Sequence, residues 1–123
     1  MQHLTPKQTA LLLKQPDMKT ENGRRDVTLL SVLYDTGARV QELCDLRVRG
    51  VRLEHPALVT LTGKGNRARH VPLVGNTVNL LKTYMQEKDM LQNGKQDMPL
   101  FFNRRHSALT RKGISYILQK YVA

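Results

Sequence analysis

Val27, Leu29, Leu30, Val32 and Leu33 leave little room for a polar face over that stretch of the chain. A helix that is apolar almost all round belongs inside a core, and the pattern predicts one over residues 24–36. Gly37 follows, and glycine most readily takes the left-handed conformation that ends a helix. Val40, Leu43 and Leu46 then recur at helical spacing and predict a second, amphipathic helix over residues 39 to about 47. Upstream, Thr5 can cap and Pro6 can open a first helix through Leu11, Leu12 and Leu13, which Pro16 stops. Residues 17–23 read as a polar loop.

Past residue 47 the period changes. Residues 48–54 alternate loosely, with Arg47, Arg49 and Arg52 interleaved with valines and Leu53. Residues 57–62 are short and rich in β-branched side chains, which predicts a strand. Gly63-Lys64-Gly65-Asn66 is turn chemistry, and a return strand over residues 69–73 contains Pro72, which suits an edge. Asn76 or Thr77 is expected to cap a third long helix, with Val78, Leu81, Tyr84 and Met85 on one face, ending before Gly94. Residues 99–102 form a short apolar segment and residues 103–107 a basic loop. Thr110 caps a last helix whose Ile114, Ile117, Leu118, Tyr121 and Val122 fall on one stripe. The expected fold is a single mixed α+β domain over residues 1–123, mainly helical, with helices around a small antiparallel sheet.

Charge adds a direction. Lys and Arg number 20 against 10 acids, for a formal charge of +10. Such an excess points to a polyanion, with nucleic acid first. A basic face also suits acidic lipid, but no strongly amphipathic basic helix or lipidation motif accompanies it. The single cysteine, Cys44, permits no internal disulfide and reads as packing in a reducing compartment. With no apolar run of membrane-spanning length and a polar start, the chain is expected to be soluble and intracellular, with no membrane partner.

Four groups of residues are candidates for chemistry. Arg39 leaves a glycine-hinged corner, where a guanidinium can grip phosphate through two parallel hydrogen bonds. Glu42, one turn on, is placed to orient it by an ion pair; the plainer reading is an exposed pair worth a few tenths of a kcal/mol, roughly 0.2–1. Lys64, between glycines at a hairpin tip, can enter a groove or deliver a proton to a leaving oxygen; a solvated turn lysine fits the same pattern. Arg67 and Arg69 share a face of a regular strand and would extend a positive ridge from Lys64. Arg104, Arg105, Arg111 and Lys112 form a second cluster at the start of the last helix, where backbone N–H groups also favour phosphate. His3, His55, His70 and His106 lack metal-ligand spacing, so no metal or other cofactor is expected. Tyr34, Tyr84, Tyr116 and Tyr121 lie on or beside apolar stripes and read as core packing.

Residues 33–43, Leu-Tyr-Asp-Thr-Gly-Ala-Arg-Val-Gln-Glu-Leu, resemble the first catalytic box of the tyrosine recombinases, the phage-integrase and Xer-type family. Residues 61–73 look like that family's β-hairpin with its catalytic lysine, and residues 100–114 are similar to the segment that follows in Xer-like members. The resemblance implies DNA cleavage by a tyrosine through a 3′-phosphotyrosine, and rejoining to another strand without metal or ATP. Arg39 would bind the non-bridging oxygens of the scissile phosphate, Lys64 would protonate the 5′-oxygen, and Glu42 would be the acid that holds the arginine. Losing one such contact would raise the barrier by roughly 3–4 kcal/mol, by analogy with other preorganised donors.

The family's later elements, a His-x-x-Arg box, a His or Trp and the nucleophilic tyrosine, are not in this sequence, and neither is its amino-terminal arm domain. Tyr121 precedes those boxes and lies on an apolar stripe, so no nucleophile is assigned. The expectation is the first two thirds of a catalytic core that binds duplex DNA but does not cut it alone, from a parent that acts as a tetramer on DNA. The resemblance also implies a bacterial or phage-encoded protein of the cytoplasm, associated with the nucleoid. Apolar faces left uncovered would then favour self-association. The other readings are a non-catalytic DNA-binding module and an RNA-associated basic protein.

Overall fold

A computed structural model of the chain describes residues 4–121. The first helix, α1 (Pro6–Leu13), opens on a capping box: the Thr5 hydroxyl accepts the Gln8 N–H, and the Gln8 side chain returns the bond to the Thr5 N–H. The long helix α2 (Glu21–Thr36) starts earlier than the pattern predicts. Thr20 caps it, accepting the Gly23 N–H at 2.9 Å, so part of the expected 17–23 loop is its first turn. Gly23 reads as a breaker in sequence but lies against the 17–20 backbone, where an added Cβ would meet the Asp17 carbonyl oxygen at 1.8 Å. Only glycine fits there.

From Asp26 to Leu33 every residue of α2 is buried. Gly37 then ends it at φ 67, with its N–H donated to the Leu33 carbonyl. The next helix, α3 (Val40–Asp45), is shorter than predicted. At Leu46 the backbone turns extended and pairs with a distant segment: Leu100 N–H donates to Leu46 O, and Val48 N–H donates to Met98 O. Those bonds replace the helical ones that residues 46 and 47 would have made.

Three antiparallel strands follow, β1 (Val51–Arg52), β2 (Leu58–Thr62) and β3 (Ala68–Pro72), in the order β1-β2-β3. Val59 and Leu61 point into the core and are fully buried, whereas β3 is exposed except at half-buried Val71. Pro72 occupies the outer strand, where a missing N–H breaks no ladder. Between β2 and β3 the chain makes a single 3-10 turn, Lys64–Asn66, closed by the Gly63 N–H on the Arg67 carbonyl.

The helix α4 (Gly75–Glu87) is capped neither by Asn76 nor by Thr77. The preceding Val74 N–H donates instead to the Asp35 carboxylate of α2. Thr77 lies inside the interface, its hydroxyl hydrogen-bonded to that of Ser31 at 2.8 Å where α2 and α4 cross. Leu81, Tyr84 and Met85 complete the buried face, and the Tyr84 hydroxyl donates to the Leu100 carbonyl at 2.6 Å. A bidentate pair between Arg24 and Glu87 clasps the far ends of the two helices.

The last helix, α5 (Arg111–Tyr121), is capped by Thr110 as predicted, with the Gly113 N–H on its hydroxyl at 3.1 Å. Ile114 and Ile117 are buried and Leu118 and Tyr121 half-buried; Val122 lies outside the described residues. Tyr121 also donates to the fully buried Asp26 at 2.5 Å, beside Lys120 and Arg25. Tyr116 corrects the expectation that all four tyrosines pack in the core. It is 68 % exposed, one position off the Ile114–Ile117 stripe and so turned about 100° away from it. The other exposed large apolar side chains, Leu11, Met18, Val74 and Leu91, come from separate parts of the chain. Among the described residues no helix is long and apolar enough to cross a membrane.

Candidate functional site

The corner between α2 and α3 is rigid for local reasons. Thr36 folds its hydroxyl back onto the Val32 carbonyl and accepts the Ala38 N–H. Ala38 is fully buried, so the chain is pinned just before Arg39 turns outward in an extended conformation. Arg39 is the N-cap of α3, which aims its backbone N–H at the side chain one turn on. Glu42 Oε1 accepts it at 2.8 Å.

Glu42 is only 5 % exposed, and its carboxylate also takes the Arg69 guanidinium, with Nη2 on Oε1 at 2.9 Å and Nε on Oε2 at 3.3 Å. The hydrogen bonds from Arg69, helped by the Arg39 N–H and both positive charges, hold Glu42 below the usual carboxylate range against the opposing effect of burial. This corrects the expected ion pair with the Arg39 guanidinium. The helix start presents a backbone donor to the carboxylate, and the hairpin brings in a better placed guanidinium from 27 residues away.

Lys64 stands exposed on the turn that overhangs this corner. Arg39, Glu42, Gly63, Lys64, Arg67 and Arg69 line one open hollow of about 490 Å³. Arg39 and Lys64 also line its neighbour, of about 320 Å³, with Gln41, Asp45 and Thr62. The three polar neighbours were not singled out in sequence, although Gln41 and Asp45 fall on the solvent side of α3 and bond to each other. Among the described residues the side chains of Arg39, Lys64 and Arg67 make no hydrogen bond or ion pair, whereas Arg69 is engaged.

The second basic group divides. Arg104 lines a separate hollow with Arg25, Lys88, Lys95 and His106, beside the first turns of α2. Arg39 lies past the other end of that 16-residue helix, about 24 Å along its axis. Arg105 is exposed on the same loop, which Asn103 braces by accepting the Arg105 and Ser107 N–H groups. Arg111 and Lys112 open α5, which packs on α3. The Arg111 charge reaches the Cys44 thiol there and partly offsets the upward push of burial on that group. One end of the cluster therefore flanks the corner, and the other does not. Among the described residues no three His, Cys, Asp or Glu side chains gather as a metal ion would need.

This mainly helical domain with a three-stranded antiparallel sheet has the fold of solved tyrosine-recombinase cores. The profile of the Phage integrase family matches residues 2–123, and the chain belongs to that family. Among its relatives, tyrosine recombinase XerD of Staphylococcus epidermidis (strain RP62A) is 39 % identical over 111 residues, which is 89 % of this chain and 37 % of XerD. Tyrosine recombinase XerC of Anoxybacillus flavithermus is 32 % identical over 122 residues, 97 % of this chain and 40 % of XerC. The chain thus spans about two fifths of the length of these curated relatives.

Solved structures agree. XerH recombinase, in a pre-cleavage complex bound to its difH substrate, superposes with a TM-score of 0.72 at 25 % identity, over 98 % of this chain and 37 % of that one. XerA recombinase, at 21 % identity, shares the fold with a TM-score of 0.77, over 97 % of this chain and 41 % of XerA.

Proposed function

We propose that this chain supplies the phosphate-binding part of a site-specific DNA recombinase active site. Arg39 binds the non-bridging oxygens of one scissile phosphate, Lys64 faces the 5′-oxygen, and Arg67 holds an adjoining phosphate. Arg111 and Lys112 extend the duplex contact along the flank, while Arg104 and Arg105 touch the backbone elsewhere. In the full reaction a tyrosine oxygen attacks phosphorus, and the bond to the 5′-oxygen breaks. The Lys64 ammonium gives that oxygen its proton, and a 3′-phosphotyrosine remains. The guanidinium of Arg39 neutralises charge gathering on the equatorial oxygens, the role of a preorganised donor.

The tyrosine comes from outside these residues. Tyr84 is buried on Leu100, Tyr121 is bonded to Asp26, and neither Tyr34 nor Tyr116 lines the hollows that hold Arg39 and Lys64. The chain alone therefore binds duplex DNA without cutting it.

The observation that carries this reading is the pair of adjoining hollows lined by both Arg39 and Lys64. Its test is a salt titration with a fluorescein-labelled DNA duplex. With Arg39 and Lys64 sharing the scissile phosphate and Arg67, Arg104, Arg105, Arg111 and Lys112 each on one more, about six neutralised phosphates give a slope of log K against log salt near −5.4, or about a 2,000-fold loss of affinity between about 50 and 200 mM. Arg67→Ala should reduce the slope by about 0.9, and Arg39→Ala combined with Lys64→Ala, which frees the shared phosphate, should do the same. Joined to the carboxyl-terminal segment of a XerD relative, the chain should form a covalent adduct on a nicked substrate, and Arg39→Ala should abolish it. An RNA duplex bound more tightly than DNA, or slopes untouched by either substitution, would overturn the proposal.

A further inference from the structure

We infer that Arg69 is a positioning residue: through Glu42 it latches the β2–β3 hairpin to the α2–α3 corner, and so holds Lys64 opposite Arg39 before DNA arrives. The inference rests on the reading that Lys64 and Arg39 serve one phosphate, and it gives Arg69 a different task from its neighbours on the hairpin.

The outer strand explains why a latch is needed. Ala68, Arg69, His70 and Pro72 of β3 are exposed, so hydrophobic burial ties this strand down at little besides Val71. Among the described residues the His70 side chain bonds to Thr60 alone, inside the hairpin itself. Among the described residues, the Arg69 guanidinium makes the side-chain hydrogen bonds that join β3 to anything beyond its own sheet. It does so one pair inside the end of the ladder, since Arg69 faces Leu61 and Thr62–Ala68 is the last pair before the turn.

The acceptor is well chosen for the purpose. The same Glu42 oxygen that takes Arg69 Nη2 also takes the Arg39 backbone N–H, so a single carboxylate fixes both the corner and the ribbon. Gly63, the last residue before Lys64, sits against it too: a Cβ there would lie 3.4 Å from Glu42 Oε2. Drawing Arg69 away to a DNA phosphate would leave the Glu42 charge buried without its partner, which is strongly unfavourable. Among the described residues Arg67 and Lys64 carry no such partner, which leaves them to turn to phosphate.

The test combines hydrogen exchange of the free protein with the salt titration. In Arg69→Ala, exchange at the Gly63 amide, which closes the turn on Arg67, should speed up by about tenfold or more while the Leu29–Leu33 amides of α2 keep their rates. Affinity for the labelled duplex should fall with the salt slope unchanged, because no phosphate contact is lost. A slope reduced by about 0.9 with Gly63 still protected would make Arg69 a phosphate ligand and overturn the inference. Equal acceleration in α2 would make its role one of general stability and also overturn it. Should Arg69→Ala not fold, Arg69→Gln, which removes the charge and the two-point grip but keeps most of the side chain's length, gives the same readings. Exchange is measured without DNA, so a wild-type chain that binds no duplex would refute the proposed function while Gly63 still decides the latch.

Discussion

Replacing Asp26 with alanine should lower the melting temperature by about 12 °C, and the reason lies in which partner of the ion cluster is buried. The Asp26 carboxylate is fully buried and receives Arg25 at 2.9 Å, Lys120 at 3.0 Å and the Tyr121 hydroxyl at 2.5 Å. Breaking a buried pair from one side is worth about 3–5 kcal/mol. Lys120 is 37 % exposed and rehydrates easily, which places the loss at the lower end, about 3 kcal/mol. For 123 residues the entropy of unfolding is about 0.26 kcal/mol per degree, and the quotient is about 12 °C. Lys120→Ala leaves Asp26 with Arg25 and Tyr121, so its loss should stay near 1 kcal/mol, or about 4 °C. Circular dichroism melts of the two variants at neutral pH test the argument. Equal shifts, or a shift for Asp26→Ala no larger than that of Lys120→Ala, would show that the buried acid does not anchor α5 to α2.

Three other outcomes follow from the corner and its helix. Glu42 titrates lower folded than unfolded, so the stability it adds is complete above its unfolded value, about 4.3, and disappears as pH falls through the folded one. The melting-temperature gap between wild type and Glu42→Gln should therefore be widest near neutrality and close in acid; a gap that grows in acid would contradict the assignment. Gly37→Ala forces a left-handed residue at φ 67 and should destabilise by about 1–2 kcal/mol, read from a urea midpoint, with weaker duplex binding because Arg39 hangs from that turn. Cys44 is 6 % exposed, and burial pushes its thiol upward, so iodoacetamide should label it slowly in the native chain and rapidly in denaturant; fast native labelling would mean α3 opens.

What could be read in the sequence depended on how far away each cause lies. The Thr5 and Thr110 caps, the Gly37 stop and the edge position of Pro72 are decided within a few residues, and each stands where the pattern put it. The start of α2 was obscured because Gly23 answers to a close approach by Asp17, while local propensity counts it only as a breaker. The residue before α4 is tied down by Asp35, 39 residues away, and α3 ends early because Leu46 pairs with Leu100. Glu42 follows the same rule. Helical spacing names Arg39 as its neighbour, and only the folded hairpin reveals Arg69. Arg39 and Lys64 were legible as cations on constrained turns, but their shared hollow is a product of tertiary packing.

The hydroxyl pair of Ser31 and Thr77 has a consequence for assembly. Sliding α4 along α2 by one turn would break this buried bond and set Ser31 against Val74 or Leu81, so the seam between these helices favours a single docking position. Leucines alone would tolerate several offsets. Two small polar side chains index the bundle instead, and the sheet and its hairpin inherit that alignment through the Asp35–Val74 bond at the end of the same seam.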